Sequence, residues 1–394
     1  MKNLSIKYIF TSPLLNGYSV QTKILNQISF LNKAGADCKG IFFSTEVKEI
    51  TQIDINSSFY PVKECEWNYF KKIGQRIIFD KTVYNYFKNT YSSTDIFYFR
   101  FPGSTFGLYR IAKKFGKKIV SEHQSKELEE INSSAKNNLF GIAPSKFLSW
   151  FLYNFLPVFN EKLFGNLFVK SILSAVAVTN EIGEYQIKKG AKRSIIGANG
   201  INVKNYQVRE SIEFSYPLKV IFLKGTSTNA SWNGLDRLIN SIDKMENPHE
   251  KIKLIICGYK IEGEIPDKKY IEHLGYKNKS DIDQLINNVH VGISTLALHK
   301  KQLMEASTLK TREYVARGLP FVYAYTDPDL NEEAKEFSLE FPNDDSLIDM
   351  EKVIEFAKKA LEDKELPQKM RIYAEEHMDY EGKMKKLYQE LQKL

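Results

Sequence analysis

Residues 219–242 have the sequence KVIFLKGTSTNASWNGLDRLINSI, which joins a short apolar run, a polar loop and a helical stripe. The run Lys219–Leu223 predicts a buried strand. The stripe that follows recurs at the spacing of one helix face and comprises Leu235, Leu238, Ile239 and Ile242. A strand followed directly by a helix is the repeating unit of parallel sheets with helices on both faces.

The same unit recurs on both sides of this stretch. Further strands are predicted towards the C-terminus at Lys253–Cys257, Tyr270–Leu274, Val291–Ser294 and Phe321–Ala324, with a short helix ending at Tyr314–Arg317. Towards the N-terminus they are predicted at Ser5–Phe10, Gly40–Phe43, Ile96–Phe99, Lys118–Ser121, Ala175–Thr179 and Ser194–Gly197. After the first of these, Val20, Ile24, Ile28 and Leu31 indicate a helix that Gly35 would end. The alternation predicts an α/β protein with parallel sheets covered on both faces.

The polar stretch 201–217 has no clear periodicity and is the predicted domain boundary. We therefore expect one α/β domain over residues 1–200 and a second over residues 201–374. The tail from Met350 to Leu394 is highly charged and helical in pattern. Two such domains form a cleft, and ligands bind beyond the carboxyl ends of the strands.

Composition narrows the class of protein. Of the 394 residues, 43% are hydrophobic and 26% are charged, which excludes a disordered, collagen-like or coiled-coil chain. The net charge of +8 suits solubility, an anionic substrate or a membrane surface equally well. Three cysteines without a CxxC pair predict a reducing, cytoplasmic location. The apolar run in MKNLSIKYIFTSP is too short for a signal peptide, and no stretch reaches the ~20 apolar residues of a membrane span.

The segment Glu305–Glu313 has the sequence EASTLKTRE and lies between the predicted strand VGIST and the residues YVARGLP. Ser307 or Thr308 would cap a helix, so the backbone amides of residues 308–311 are expected to be unpaired donors that can bind an anion. Lys310 and Arg312 in this first turn cost roughly 0.3–1 kcal/mol against the helix dipole, a penalty that a bound pyrophosphate would reverse. A capped surface helix with solvated charges is the other interpretation.

Glu305 and Glu313 match the E-x7-E motif of retaining GT-B glycosyltransferases, and the chain resembles glycosyltransferase family four in particular. The resemblance extends to three further blocks, which are Ala177-Val-Thr-Asn-Glu-Ile with Ala198-Asn-Gly-Ile-Asn202, Trp232-Asn-Gly-Leu-Asp-Arg-Leu-Ile, and Ala316-Arg-Gly-Leu-Pro-Phe-Val. It implies the GT-B fold, two Rossmann-like domains facing across a cleft. The N-terminal domain would bind the acceptor and the C-terminal domain the nucleotide-sugar donor. A terminal helix at about 375–394 would pack back on the first domain.

The resemblance also assigns roles to individual residues. Glu305 would contact the hydroxyls of the donor sugar as the main catalytic residue, and Glu313 would accept hydrogen bonds from the ribose hydroxyls. The amides of Ser307–Leu309 would face the sugar and diphosphate. The full predicted donor site comprises Glu313, Lys310, Ser307, Thr308, Leu309, Thr311, Lys224, Gly225, Tyr276, Asn199 and Gly17.

Two positions depart from the family pattern. The family usually places Arg after the glycine that ends the first strand of the second domain, and Lys before the glycine that opens the next helix. Here these positions hold Thr226 and Asn233. Lys224 and Lys310 are the available replacements for the missing diphosphate cations, although Lys224 equally suits a solvated strand end.

Other candidates lie in loops after predicted strands. Gly17 would let the backbone approach a phosphate or acceptor closely, unless it forms a simple turn. Tyr276 would border the nucleotide base, or would be a surface residue. His123 follows a strand where the family often carries a histidine near the sugar and acceptor, and a structural role is the alternative. Glu122 is a weaker candidate base.

Residues 137–173 are rich in aromatic side chains with interspersed lysines. The aromatic residues are Phe140, Phe147, Trp150, Phe151, Tyr153, Phe155, Phe159, Phe164 and Phe168, and the lysines are Lys146, Lys162 and Lys170. This composition suits either a helix pair in the core of the first domain or a segment lying at the inner face of the membrane.

The sequence thus predicts a retaining hexosyltransferase that moves a sugar from a nucleotide-sugar donor to a glycan or a lipid-linked glycan, as in surface polysaccharide biosynthesis. The resemblance implies no protein nucleophile. We expect no metal, since no Asp-x-Asp motif stands out, no other cofactor and no nucleic-acid partner. A non-catalytic GT-B partner or chaperone subunit, or a nucleotide-sugar epimerase, are the alternatives.

Overall fold

The computed structural model describes residues 3–11, 18–45, 57–65, 71–136, 155–224, 230–258 and 265–394. The chain divides into two compact units, which are Met1–Gly197 together with Lys383–Leu394, and Ala198–Gly382. The division therefore lies after Gly197, whereas we expected it after residue 200. The C-terminal stretch that belongs to the first unit begins at Lys383, within the last helix and later than we expected.

The first unit contains a seven-stranded parallel sheet in the order β3-β2-β1-β4-β5-β6-β7. Its strands are β1 Ser5–Thr11, β2 Asp37–Ser44, β3 Ser57–Pro61, β4 Ile96–Arg100, β5 Ile119–His123, β6 Ser174–Ala177 and β7 Ser194–Ile196. Every strand predicted in this half of the chain is present. The edge strand β3 was not predicted, because its sequence SSFYP ends in proline and lacks an apolar run.

Helices connect these strands and cover the sheet. They are α1 Tyr18–Lys33, α2 Lys71–Thr90, α3 Phe106–Phe115, α4 Glu127–Lys136, α5 Asn166–Ser171 and α6 Asn180–Lys189, with a further helical stretch over 155–160 that continues into a π-helix at Glu161–Gly165. One core lies between the sheet and helices α2, α3 and α5. It includes Phe87, Phe97, Phe115 and Phe168.

The second unit contains a six-stranded parallel sheet in the order β10-β9-β8-β11-β12-β13. Its strands are β8 Leu218–Lys224, β9 Ile252–Gly258, β10 Ile271–Gly275, β11 Val291–Ile293, β12 Phe321–Tyr323 and β13 Ser338–Glu340. The edge strand β13 was not predicted, since its sequence SLE contains a single apolar residue.

The helices of this half are α7 Leu235–Ile242, α8 Pro248–Lys251, α9 Lys279–Ile286, α10 Leu309–Arg317, α11 Met350–Glu362, α12 Leu366–His377 and α13 Tyr380–Leu391. The predicted stripe of α7 is buried in the core against β8 and β9. No helix in the described part of the chain is both long and apolar enough to cross a bilayer.

Strand order reverses once in each sheet, between β1 and β4 in the first unit and between β8 and β11 in the second. Loops at such a point diverge to opposite faces of the sheet and leave a crevice at the carboxyl ends of the strands, where ligands bind in open α/β sheets. The segment after β8 leads to Asn233, and the segment after β11 leads through Glu305 to α10. The motif predicted from the sequence therefore lies at the switch point of the second sheet.

Candidate functional site

The first turn of α10 forms the floor of the candidate site. Thr308 is its N-cap, with extended backbone and a hydroxyl that accepts from the amide of Thr311 at 3.4 Å. The helix therefore begins where the sequence predicted. Because Thr308 caps the amide of Thr311, the donors left without a partner among the described residues are the amides of Leu309 and Lys310.

The two acidic residues of the motif are held on different supports. A short parallel bridge joins Glu305 to Thr326, with the amide of Ala306 donating to the carbonyl of Thr326 at 3.1 Å. Glu313 lies in the second turn of α10, and its Oε2 accepts from Nη1 of Arg317 at 3.0 Å. Both carboxylates are half-buried. Because a carboxylate accepts up to four hydrogen bonds, Glu313 keeps capacity for a ligand beside Arg317.

Lys310 contacts Asn233, one of the two positions that depart from the family pattern. Its Nζ donates to Oδ1 of Asn233 at 3.1 Å and lies 4.8 Å from the ring centre of Phe222 in β8. Burial, which removes water from the ammonium, lowers the pKa of Lys310 to about 8. Asn233, which stands where the family usually has a lysine, thus accepts a hydrogen bond from Lys310 through its amide oxygen.

Asn199 and Ser307, two predicted donor-site residues, are brought together. The amide of Asn199 donates to Oγ of Ser307 at 2.8 Å, and its Nδ2 donates to the carbonyl of Ser307 at 2.5 Å. Oδ1 of Asn199 is buried and has no hydrogen-bond partner among the described residues. The Ser307 hydroxyl thus already has a hydrogen-bond partner, whereas Oδ1 of Asn199 has none among the described residues.

Arg312 does not lie at the phosphate position that its place in the first turn suggested. It is fully buried and pairs with Asp327, the Nη2–Oδ1 distance being 2.7 Å, and with Asp329. Burial opposes its charge, but the two carboxylates outweigh this effect and raise the pKa of Arg312. Its Nε donates to the carbonyl of Asn199 at 3.2 Å, so Arg312 ties that loop to α10.

Thr311 belongs to a buried hydroxyl cluster. Its Oγ1 lies 2.6 Å from the Tyr325 hydroxyl and 2.9 Å from Oγ of Ser294, and Thr308 joins the same cluster. The Thr311 side chain has no exposed surface. The Thr311 side chain therefore packs on the buried side of α10, whereas we predicted that it contacts the donor.

The remaining predicted donor residues differ in exposure. Lys224 ends β8 and is only 5% exposed. Tyr276 is 58% exposed and follows Gly275, whose φ of +69° turns the chain at the end of β10. Gly17 and Gly225 lie outside the described residues, as does Thr226.

His123, the catalytic candidate of the first unit, is enclosed at the end of β5. Its Nδ1 lies 2.5 Å from Oε1 of Glu127, and Lys189 also pairs with Glu127 at 3.2 Å. Burial alone would raise the pKa of Glu127, but His123 and Lys189 outweigh it and lower that pKa to about 2. Nε2 of His123 is buried without a hydrogen-bond partner among the described residues. The histidine is 1% exposed, so its catalytic role stays a prediction.

Glu122 is a structural hub and cannot serve as the base that we considered. Its carboxylate is 1% exposed and accepts from Nζ of Lys23 and the Tyr98 hydroxyl, each at 2.7 Å, and from Gln27 at 3.1 Å. Burial would raise its pKa, but Lys23 and Arg100 lower it to about 2. A carboxylate with this many donors and so low a pKa takes up a proton poorly.

Within the residues that the structure describes, no three or more His, Cys, Asp and Glu side chains are grouped so that they could hold a metal ion. Asp327 and Asp329 are both paired with Arg312.

No protein-family model matches the sequence, and no curated protein matches it. Solved structures do match over nearly all of both chains. A glycosyltransferase from Rickettsia africae aligns with a TM-score of 0.61 at 13% identity, covering 99% of this chain and 98% of the other. Sucrose-phosphate synthase from Thermosynechococcus elongatus aligns at 0.64 with 10% identity, and Anabaena HepE, solved with UDP-glucose, at 0.63 with 12%, each over 99% of both chains.

The chain has the GT-B fold. The two parallel sheets of seven and six strands are its two Rossmann-like units, as the sequence predicted. At these identities the likeness establishes the fold alone. In this GT-B chain the segments that leave the second switch point carry Glu305, the amides of Leu309 and Lys310, the Lys310 ammonium with Asn233, and Glu313.

Proposed function

We propose that this protein is a retaining glycosyltransferase of the family-four type, which transfers a hexose from a nucleotide sugar to a glycan or lipid-linked glycan. One observation carries the proposal: at the switch point of the second sheet, α10 offers two amides and the Lys310 cation between Glu305 and Glu313. An anion is stabilised by a helix N-terminus and a cation together, and hydroxyls are bound by carboxylates.

Each group has a role in this proposal. The diphosphate of the donor binds the amides of Leu309 and Lys310 and the Lys310 ammonium. The carboxylate of Glu305 accepts from the sugar hydroxyls, and that of Glu313 accepts from the ribose. Tyr276 stacks on the base, for which its 58% exposure leaves room.

The chemical step needs no nucleophile from the protein. The acceptor hydroxyl forms a bond to the anomeric carbon on the face from which the diphosphate leaves. The bond from that carbon to the phosphate oxygen breaks, and the hydroxyl proton passes to the departing phosphate. The protein positions the reactants and stabilises the charge that develops on the leaving group. In many enzymes such electrostatic stabilisation lowers the activation barrier more than any other single effect.

The decisive variant is Glu305→Gln, which keeps the size of the side chain and removes its charge. We expect transfer to fall by about a hundredfold or more, as when a single electrostatic contact in the transition state is lost. Thermal unfolding checks that the variant folds, and the bridge from Glu305 to Thr326 should persist because it is made by the backbone. Glu332→Gln, at an exposed site, is the control. Full transfer activity in Glu305→Gln would refute the assignment.

The donor is found first, by testing a panel that includes UDP-glucose for thermal stabilisation of the protein, since a ligand of the native state raises stability. Proton NMR of the product then reports whether the anomeric configuration is retained. Donor binding without transfer or hydrolysis would favour the non-catalytic partner, and conversion of the donor without acceptor would favour the epimerase.

A cytoplasmic protein that associates with the inner face of the membrane through residues 137–173 suits a lipid-linked acceptor. Part of this segment, 137–154, lies outside the described residues. In the remainder both interpretations find support, because Phe168 is buried in the core whereas Phe155 and Phe159 are 53% and 46% exposed.

A further inference from the structure

A groove of about 950 Å³ lies within the first unit, away from the residues of the proposed donor site and partly lined by Leu156, Pro157 and Asn160 of the segment 137–173. Helix α2 forms one wall, the loop after β4 and the start of α3 form the second, and the helical stretch 155–160 forms the third. Pockets of this volume take ligands of drug or single-lipid-chain size.

The walls of the groove are apolar and open to solvent. Ile77 and Phe106 are 55% and 56% exposed, although each contributes to the lining. The other apolar lining residues are Ile73, Tyr84, Pro102, Leu156 and Pro157. Phe155 and Phe159 do not line the groove but lie on the helical stretch that forms its third wall, where both are exposed and their rings stack at 6.2 Å. Exposed apolar side chains that cluster in this way mark a binding surface, whereas isolated ones do not.

Two charged groups that line the groove, Arg76 and Asp80, are paired with each other and bonded to neighbouring groups of the protein. Arg76 donates to the carbonyls of Pro102 and Gly103 at 3.2 and 3.0 Å, and its Nε lies 3.4 Å from Oδ1 of Asp80. Thr105 donates to the other oxygen of Asp80 at 2.5 Å. Two buried polar atoms of the lining, Nε of Arg76 and Oγ of Ser104, have no hydrogen-bond partner among the described residues. Most of the remaining lining is apolar, and such surface suits a hydrocarbon chain, which needs no hydrogen-bond partner.

The rim has the opposite character. Lys81 and Arg110 line the groove and are exposed, and the other exposed cations on α2 and α3 include Lys88, Lys113 and Lys114. Asp80 on α2 and Glu161, which follows the third wall, are buried carboxylates paired with Arg76 and Lys189. An apolar groove with a cationic rim is complementary to a lipid whose hydrocarbon chain enters and whose anionic headgroup stays at the surface.

We infer that this groove binds one hydrocarbon chain of an anionic membrane lipid and so docks the first unit on a bilayer. This site depends neither on donor binding nor on transfer activity.

The test uses the full-length protein and vesicles of phosphatidylglycerol and phosphatidylcholine, with phosphatidylcholine vesicles for comparison. Ile77→Asn and Phe106→Ser should each weaken binding to the anionic vesicles by about tenfold, because each removes one large apolar side chain from contact with lipid. Ile187→Asn is the matched control, since Ile187 is 46% exposed on α6 of the same unit and is not part of the groove. Thermal unfolding checks that all three variants fold.

A second measurement tests whether the hydrocarbon chain of the lipid lies in the groove. All three native cysteines are buried, so Ile77→Cys can be labelled selectively with an environment-sensitive fluorophore. Lipids that carry a nitroxide on the acyl chain should quench this fluorophore when vesicles are added. If binding is lost only in Lys81→Gln and Arg110→Gln while Ile77→Asn and Phe106→Ser bind normally, or if the label is not quenched, the inference is overturned. Calorimetry of the donor with the same variants should show unchanged affinity, which separates this site from the proposed transferase site.

Discussion

Lys310 is the residue on which donor binding is expected to depend most directly. It lies in the first turn of α10, and Asn233, 77 residues earlier in the chain, orients its ammonium. A hydrogen bond to a charged group contributes more than a neutral one, and the loss of one here should weaken binding of the donor diphosphate by about tenfold to a hundredfold. We therefore expect Lys310→Met to reduce donor affinity in calorimetry, and Asn233→Ala to reduce it less, since the cation remains.

The pH dependence of donor binding follows from the same residue. Burial lowers the pKa of Lys310 to about 8 in the free protein, so the ammonium is charged well below pH 8 and loses its proton above it. A bound diphosphate favours the charged form. Donor affinity should therefore be level below pH 8 and should weaken as the pH rises through that value. In Lys310→Met this dependence should vanish, and an equal slope in variant and parent would count against the assignment.

Asp327 matters for stability because it neutralises a cation that has no access to water. Arg312 and Asp327 are both without exposed side-chain surface, and loss of the Asp327 charge leaves Asp329 as the remaining carboxylate partner of Arg312. Asp327→Asn should lower the free energy of unfolding by about 1–3 kcal/mol in urea titrations, because a buried charged donor loses part of its pairing. Glu332→Gln, which removes an exposed pair with Lys335, should produce no measurable change. Equal stabilities for the two variants would contradict the structural role of Arg312.

At the scale of elements, the N-cap of α10 joins stability to binding. Thr308 accepts the amide of Thr311 and orders the turn whose next two amides are the proposed phosphate donors. Thr308→Ala should cost about 1 kcal/mol of stability, the usual effect of a lost cap, and should also weaken donor binding.

Helix α6 supplies a matched control for this experiment. Thr179 caps it in the same way, with its hydroxyl accepting from the amide of Ile182 at 3.3 Å. Thr179→Ala should cost a similar stability and leave donor affinity unchanged. If the two variants affect binding equally, the cap of α10 has no special place in the site.

At the scale of the whole molecule, the C-terminal residues complete the first unit. Lys383–Leu394 belong to it, and the Tyr388 hydroxyl donates to the carbonyl of Gly35 at 3.0 Å while accepting from the amide of Leu4 at 3.3 Å. Deletion of residues 383–394 should therefore loosen the first unit. Hydrogen exchange should become faster around Gly35 and the start of β1, while the protection of β8 to β12 in the second unit should be retained. Unchanged exchange around Gly35 would show that these contacts contribute nothing to stability.

The sequence by itself determined the elements and the cap chemistry. Apolar runs reveal most of the strands, and helical stripes reveal α1 and α7, because burial imposes a period on neighbouring residues, and this was sufficient for the α/β class. The resemblance in the Glu305–Glu313 block pointed to the GT-B fold, and the start of α10 at Thr308 was predictable from side-chain chemistry alone. The edge strands β3 and β13 escaped because their sequences SSFYP and SLE carry no apolar run.

Only the tertiary structure decided which polar groups meet. Arg312 and Lys310 are alike in sequence, since both are cations in one helical turn. In the structure Arg312 is buried in an ion pair with Asp327, whereas Lys310 donates a hydrogen bond to Asn233. Glu122 and His123 looked available after a strand and proved to be enclosed. Such pairings depend on how strands and loops distant in the chain are brought side by side, because an ion pair or a hydrogen bond acts over a few ångströms and leaves no period in the sequence.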